Sequence, residues 1–230
     1  MHKLLPLIVV AVLLASCSSS GPRVGHPIDQ ADWHGVALPG KKPTRYVMES
    51  KDGRRAIRAD ADASASLWRR KVDVPAERLS DVRWSWWVEA PILEADLADA
   101  DRADAPARVV FAFEGDRSQL PPRTRMMFEL ARTLTGEEPP YATLMYVHAH
   151  GVPAGTVLVS QRSDRIRKIV VDGGPSSTKH WREHRRNIAA DYQLAFGKPP
   201  GRLVGIGVMT DGDNTRSKAR AWYGPIELNP

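Results

Sequence analysis

Cysteine is almost absent from this chain, because only Cys17 occurs among its 230 residues. A disulfide bond within one chain is therefore excluded. The sequence also lacks a G-x-S-x-G elbow, a P-loop, a dinucleotide glycine fingerprint and a C-x-x-C pair. It therefore gives no support to the enzyme classes that these four motifs define. Long apolar runs are equally scarce. After residues 4–14 no stretch is long enough to span a membrane.

The N-terminus has the pattern of an export signal. Lys3 precedes the apolar run at 4–14, and Leu14-Ala15-Ser16-Cys17 follows it. This tetrapeptide resembles the lipobox of bacterial lipoproteins, in which the cysteine thiol is acylated before cleavage. The sequence thus predicts a signal peptide at 1–16 and a mature chain that begins at lipidated Cys17. The alternative is an ordinary secretory signal in which Cys17 is incidental.

Lipidation at Cys17 would make the membrane a partner of this protein. Two or three acyl chains exceed the marginal affinity of a single chain, so the anchor should be stable. Ser18, where some lipoproteins carry an acidic residue, implies sorting to the periplasmic face of the outer membrane. Residues 17–30 are rich in Ser, Gly and Pro, which predicts a flexible tether before a single domain at 31–230.

Basic residues exceed acidic ones, 33 against 27, and the formal net charge is +6. On an exported protein this balance favours anionic envelope surfaces over nucleic acid, which such a protein does not normally meet. Simple solubilising charge is the alternative interpretation.

The apolar residues of the domain follow mainly a period of two, which is typical of β-strands. The period predicts a mainly β fold with strands at 45–49, 54–61, 67–74, 81–90, 108–114, 142–149, 156–161 and 166–171. Lys51-Asp52-Gly53 predicts a hairpin turn between the first two of these strands. Helical spacing and flanking Pro and Gly residues predict helices at about 122–134 and at 176–196.

Residues 205–228 read as a closing pair of strands joined by an acidic loop. Gly205 and Gly207 fall on one face of the first strand, so Trp222 or Tyr223 of the second could lie over bare backbone. The loop, Asp211-Gly212-Asp213-Asn214-Thr215, begins like a calcium loop. Its twelfth position is Trp222 instead of glutamate, which excludes an EF-hand. A hairpin loop stabilised by Asx turns is favoured over a cation or polar-ligand site.

Three other patterns indicate a candidate binding or metal site. Trp87 is an aromatic residue on a strand face that otherwise carries Arg, Ser and Glu, so its ring either stacks on a flat ligand or is covered by neighbours. The aspartates of the loop at 94–106 could bind a hard cation, although most such runs are solvated surface. His180 and His184 fit an H-x-x-E-H zinc pattern only locally, and the one downstream glutamate is Glu227.

The chain resembles a bacterial family of exported proteins known as domain of unknown function 3047. The resemblance rests on Ser64-Ala65-Ser66, Trp84-Ser85-Trp86, Arg108, the run 181–187, Asp191-Tyr192, Phe196-Gly197, the run 209–215 and Tyr223-Gly224. One departure is Asp104-Ala105, where the family pattern has a second acidic residue. The resemblance implies a β-sandwich of jelly-roll type, like galactose-binding and carbohydrate-binding modules, with one or two peripheral helices. It implies no established activity and no cofactor.

The leading hypothesis is a lipid-anchored, non-catalytic module that binds an envelope glycan or another polar ligand. The candidate ligand-binding residues are Trp87, Arg108, Asp191, Asp211, Asp213 and Asn214. A carboxylate- or metal-dependent envelope hydrolase is the competing class, and a structural lipoprotein with protein partners is the third.

Overall fold

The computed structural model describes residues 24–26 and 32–229, and nearly half of them belong to two β-sheets packed face to face. Cys17 and the predicted signal peptide lie outside the described residues. So does most of the predicted tether at 17–30. Its residues Val24–His26 form a short strand that pairs with the last strand of the chain.

The strands are numbered in chain order. They are β1 (Val24–His26), β2 (His34–Ala37), β3 (Arg45–Lys51), β4 (Arg54–Asp62), β5 (Ser66–Val74), β6 (Asp81–Val88), β7 (Ala105–Phe113), β8 (Ala142–His148), β9 (Val157–Ser160), β10 (Ser163–Asp172), β11 (Trp181–Asn187), β12 (Leu203–Asp211), β13 (Lys218–Tyr223) and β14 (Ile226–Asn229). Helix α1 spans Pro122–Thr135 and helix α2 spans Ile188–Phe196.

Sheet 1 has the order β1-β14-β6-β13-β4-β3, and β11 also pairs with β6. Sheet 2 has the order β2-β5-β12-β7-β8-β10-β9. Strands β8 and β10 are parallel neighbours, whereas β12 is antiparallel to both β5 and β7. The predicted fold class, a mainly β sandwich of jelly-roll type, is confirmed.

The core lies between the two sheets and follows the predicted alternation. On β6, Val82, Trp84, Trp86 and Val88 are all buried. Phe111 of β7 is buried on the inner face of sheet 2. Burying each large side chain contributes roughly 1.5–3 kcal/mol to folding. The period of two therefore decides which face of each strand meets the other sheet.

The predicted hairpin at Lys51-Asp52-Gly53 joins β3 to β4. Asp52 and Gly53 have φ angles of +52° and +76°, the left-handed pair that a two-residue turn requires. The first predicted helix is also confirmed. Helix α1 has proline in its first turn and ends at Gly136, whose φ of +73° forms a left-handed cap. No helix within the described ranges combines the length and apolar character needed to cross a membrane.

The prediction of one long helix at 176–196 is wrong, because its first part is strand β11. Along β11 the inward side chains are Arg182, His184 and Arg186. Each of the three lies beside a buried carboxylate. Asp172 Oδ2 lies 3.0 Å from His184 Nε2, and Asp172 Oδ1 lies 3.1 Å from Arg182 Nη2. Asp191 Oδ1 lies 2.6 Å from Arg186 Nη2. Buried ion pairs thus replace the apolar alternation that would have revealed a strand.

Helix α2 begins only after Asn187, whose side chain accepts a hydrogen bond from the backbone N–H of Ala190. His180 and His184 consequently do not lie one helical turn apart. His184 stacks on Trp84 with a ring separation of 5.0 Å and bonds to Asp172. The H-x-x-E-H pattern is therefore part of a packed strand and its approach, not of a zinc helix.

The closing segment at 205–228 also differs from its prediction. Strand β12 belongs to sheet 2 and β13 belongs to sheet 1, so the acidic loop crosses between sheets instead of closing a hairpin. Tyr223 points into the core, where its hydroxyl donates to the Met209 carbonyl at 2.8 Å. The glycine face of β12 meets neither Trp222 nor Tyr223.

Candidate functional site

An open cleft of about 730 Å³ lies on the outer face of sheet 2. It exists because strands β7 and β12 carry small or slender outward residues between their large core residues. Val110, Ala112, Gly205, Gly207 and Met209 belong to its lining. A volume of this size falls in the range of pockets that bind small ligands.

The two glycines of β12 set the depth of the cleft floor. A Cβ at Gly205 would lie 3.4 Å from the Cβ of Ala112, an ordinary contact. A Cβ at Gly207 would lie 3.1 Å from the Trp68 carbonyl oxygen and would require a small shift. A ligand can therefore approach the backbone here, which is a frequent reason for glycine within a strand.

Two ion pairs stand at the edges of the cleft. Glu137, just after α1, bonds to Arg69 of β5. At another edge, Lys41 Nζ lies 2.5 Å from Asp213 Oδ2. These contacts connect loops from different parts of the chain across the outer face of sheet 2.

The polar end of the cleft is built around Arg108 and Asp211. Arg108 Nε donates to Asp211 Oδ1 at 2.7 Å and Nη2 donates to Oδ2 at 2.8 Å, a bidentate pair. Both side chains are only 4% exposed. Burial acts to lower the pKa of Arg108, but the Asp211 carboxylate outweighs burial and raises that pKa above its usual value. The pair is thus a fixed charged strut between β7 and β12.

Asp104 holds the acidic loop against this strut. One of its oxygens accepts from Asn214 Nδ2 at 2.7 Å, and the other accepts from the N–H and the hydroxyl of Thr215 at 2.7 and 2.6 Å. Oxygens of Asp104, Asp211 and Asp213 lie within 4.8 Å of one another, which is close enough for a cation. Each carboxylate, however, is already engaged by Arg108, Lys41 or neutral donors, so the cluster reads as a structural network.

Lys168 of β10 lines the cleft near this network and is only 4% exposed. Its Nζ donates to the Leu97 carbonyl at 3.1 Å. Burial, assisted by the positive charge of Arg108, lowers the pKa of Lys168 to about 8. Arg162 stands nearby, and its Nη2 bonds to Asn214 Oδ1 and to the Ala100 carbonyl, each at 2.8 Å.

Four of the six predicted ligand-binding residues meet at this end of the cleft: Arg108, Asp211, Asp213 and Asn214. Asp191 does not join them. It accepts from Tyr146 Oη at 2.7 Å and from Arg186, and so ties α2 to β8 and β11. Burial together with the Asp191 charge raises the pKa of Tyr146 far above its usual value.

Trp87 lies on the outer face of sheet 1, away from the cleft, and is 8% exposed. Its ring meets Trp222 edge-to-face at 4.8 Å, and Lys51 Nζ lies 4.1 Å above it. The second interpretation of this residue, a ring covered by neighbours, therefore describes its surroundings.

Sequence reasoning missed Lys168, Arg162 and Lys41. A signal for Lys168 was present, because it alternates with Ile166 and Val170 on an otherwise apolar strand face. A lysine in such a position either lies at the edge of the sheet or is buried beside a group that pairs with it. No comparable signal marks Arg162 or Lys41, which reach the cleft from turns.

Comparison with known proteins gives one family. The model of the family described as "Protein of unknown function (DUF3047)" matches residues 31–227, so the chain belongs to this family. No curated protein matches the chain.

Several solved structures have a similar chain course. The family 11 carbohydrate-binding module of the Clostridium thermocellum cellulase Lic26A-Cel5E has a TM-score of 0.44 and 8% identity, and the match covers 92% of this chain and 97% of that one. The endoglucanase Cel12A from Rhodothermus marinus has a TM-score of 0.46 and 12% identity, and the match covers 91% of this chain and 100% of that one. The xyloglucanase domain of NopAA, a type three effector from Sinorhizobium fredii, has a TM-score of 0.41 and 10% identity. That match covers 86% of this chain and 93% of the other. At these identities no residue role transfers to this chain.

Proposed function

We propose that this member of the DUF3047 family is a non-catalytic binding module of the bacterial envelope, and that its cleft on the outer face of sheet 2 holds a segment of an envelope glycan. The observation that carries the proposal is the cleft itself, a space of about 730 Å³ with a floor of backbone and aliphatic side chains and charged side chains in its lining. A mostly apolar lining with a few placed polar groups is the usual composition of a binding pocket.

The geometry suits a glycan in two respects. The floor at Gly205 and Gly207 lets a sugar ring approach β12 closely, and Val110, Met145 and Met209 offer apolar surface to its C–H face. Arg162 and Lys168 offer donors to hydroxyl groups at the polar end. This site uses aliphatic side chains in place of the stacked ring that was predicted at Trp87.

Binding is favoured over hydrolysis because the cleft carboxylates are engaged by cations. A glycosidase needs one carboxyl with a raised pKa as general acid and a second, unengaged carboxylate at a set distance. Here Arg69 holds the pKa of Glu137 below its usual value through a direct bond. Each carboxylate of the described cleft lining lies beside a cation: Glu137 beside Arg69 and Lys71, Glu138 beside Arg117, Glu114 beside Arg202, Asp211 beside Arg108 and Asp213 beside Lys41.

Anchoring through lipidated Cys17 completes the proposal and would hold the module at the periplasmic face of the outer membrane. A Cys17→Ala variant should be released from the membrane fraction, and globomycin should block processing of the unaltered chain. Unchanged fractionation of Cys17→Ala would remove the anchor from the proposal but would leave the cleft unaffected.

The glycan proposal is tested by thermal-shift titration of envelope oligosaccharides against the full-length protein. A ligand that binds only the native state stabilises it by mass action, by about 2.7 kcal/mol at one hundred times its Kd. A Gly205→Val variant, which fills the floor at an ordinary contact distance, should lose the shift. Lys218→Val at the exposed start of β13 in sheet 1 should keep it. A shift that persists in Gly205→Val would place the ligand elsewhere and overturn the proposal.

A further inference from the structure

The ammonium group of Lys168 is buried and has N–H donors that are not used in hydrogen bonds within the described residues. The side chain is 4% exposed, and its one hydrogen bond, to the Leu97 carbonyl at 3.1 Å, uses one of three N–H donors. Within the described residues Lys168 forms no ion pair. A buried charge is costly unless it is paired, so this arrangement favours a negatively charged occupant beside it.

The neighbouring charges leave room for such an occupant. Arg108 is neutralised by Asp211, and Lys41 by Asp213. Asp104 is satisfied by the neutral donors Asn214 and Thr215.

Arg162 resembles Lys168 in this respect, because its bonds go to the neutral oxygens of Asn214 and Ala100. At this end of the cleft Arg108 and Lys41 are paired with carboxylates, whereas Lys168 and Arg162 have no carboxylate in contact. Asp96, which also lies close enough to act on Lys168, is paired with Arg102. The local excess is positive and lies where the cleft is open to a ligand.

We propose that the Lys168 end of the cleft is a subsite for an anionic group of the ligand, so that the glycan held there is an acidic one. The inference rests on the proposed function and specifies its ligand class. An ammonium group is a compact point charge without the planar demand of a guanidinium, so a sugar carboxylate and a sugar phosphate share the chemistry that it recognises. The remaining N–H donors of Lys168 would bond to the anion, and Arg162 would face its outer side.

The test uses three oligosaccharides of equal length and linkage, titrated by calorimetry against the full-length protein. They are a neutral β-1,4-glucan oligomer, the corresponding β-1,4-glucuronate oligomer and the glucan oligomer phosphorylated at C6. The acidic oligomers should bind at least tenfold more tightly than the neutral one. Preference for one acidic oligomer over the other would identify the carboxylate or the phosphate as the natural group.

The variants separate a subsite from general attraction. Lys168→Met removes the ammonium and should abolish the preference for acidic oligomers, and Lys168→Gln provides a second variant that keeps a donor without the charge. Lys71→Met is the matched control, because Lys71 also lines the cleft but its side chain is 76% exposed. Circular dichroism and the unfolding temperature confirm that each variant is folded.

The outcomes distinguish this inference from the proposed function. Equal binding of neutral and acidic oligomers would overturn the anionic subsite while leaving the glycan module intact. Equal losses in Lys168→Met and Lys71→Met would also overturn it, in favour of nonspecific attraction. If no oligomer binds but inorganic phosphate stabilises the unaltered protein and not Lys168→Met, the anionic subsite is supported. The proposal that the ligand is a glycan is then wrong.

Discussion

The outer faces of the two sheets differ, because side chains cover the face of sheet 1 whereas the face of sheet 2 is left open. On sheet 1 the rings of Trp87 and Trp222 pack against each other under Lys51, and Trp222 Nε1 donates to Glu49 at 2.5 Å. On sheet 2 the corresponding strand face carries glycine, alanine and aliphatic residues beneath an open cleft. The face rich in tryptophan is closed, and the face poor in aromatic residues is open.

This contrast teaches that an aromatic residue on a polar strand face does not by itself indicate a ligand platform. Trp87 satisfies its large surface with Trp222 and Lys51, so little of its ring remains accessible. Space for a ligand appears where side chains are missing, at Gly205 and Gly207. Mutations on each face test whether the two faces differ in this way.

The largest effect is expected from Arg108→Met on the cleft side. It leaves the Asp211 carboxylate buried without its bidentate partner, and breaking such a pair costs about 3–5 kcal/mol. The exposed pair of Arg54 with Glu183 on sheet 1 is the control, because Arg54→Met should cost about 1 kcal/mol or less. Urea denaturation measures both, and equal losses would contradict a special role for the buried strut.

On sheet 1, Trp87→Ala should cost about 3 kcal/mol, near the lower end for a buried aromatic ring, because Trp87 lies at the surface under Lys51. Glycan affinity should not change, since the ring lies on the other sheet. Unfolding and ligand titration of the same variant test both statements. A large loss of affinity in a folded Trp87→Ala protein would show that sheet 1 carries the ligand.

Binding of an acidic oligomer should depend on pH through Lys168. Its pKa of about 8 means that the charge is present below pH 8 and is lost as the pH rises through that value. Affinity should then fall by at most about tenfold per pH unit, or about 1.4 kcal/mol.

The groups that act on Lys168 are Arg108, Arg162, Asp211 and Asp96. Comparison with a variant that lacks the Lys168 ammonium separates the titration of Lys168 from that of these neighbours. Lys168→Met should show a flat profile in calorimetric titrations at pH 7, 8 and 9. An equally steep decline in that variant would assign the dependence to another group.

The smallest effect is expected from Lys51→Met on sheet 1. Its ammonium lies 4.1 Å from the Trp87 ring and 5.0 Å from the Trp222 ring, contacts worth about 0.5–1 kcal/mol. Tryptophan fluorescence should change because the rings lose their cover, while ligand affinity should stay constant. A change in affinity would link this face to the cleft.

Much of the fold could be predicted because its signals are local. The turn at Asp52-Gly53, the alternation of Trp84 and Trp86, and the cap at Gly136 each depend on only a few neighbouring residues. Strand β11 could not be recognised, because its inward residues are two arginines and a histidine whose partners, Asp172 and Asp191, lie on other elements.

The candidate site was predicted in part. Arg108 and Asp211 were both named, but their bidentate pairing joins residues 103 positions apart and has no local signature. Lys168 was missed, because burial of its ammonium results from the loop that carries Leu97. Such contacts form only when distant segments pack.

By itself, the sequence determined most of the strand periodicity, the turn at Asp52-Gly53, both ends of α1 and the membership of a family. It also carries the export pattern at Cys17, which stays a prediction. Tertiary structure decided that β12 and β13 belong to different sheets, that the tryptophan face is closed and that the glycine face is open. The physical reason is range: periodicity and capping act within a few residues, whereas burial, ion pairing and open space depend on which distant strands come together.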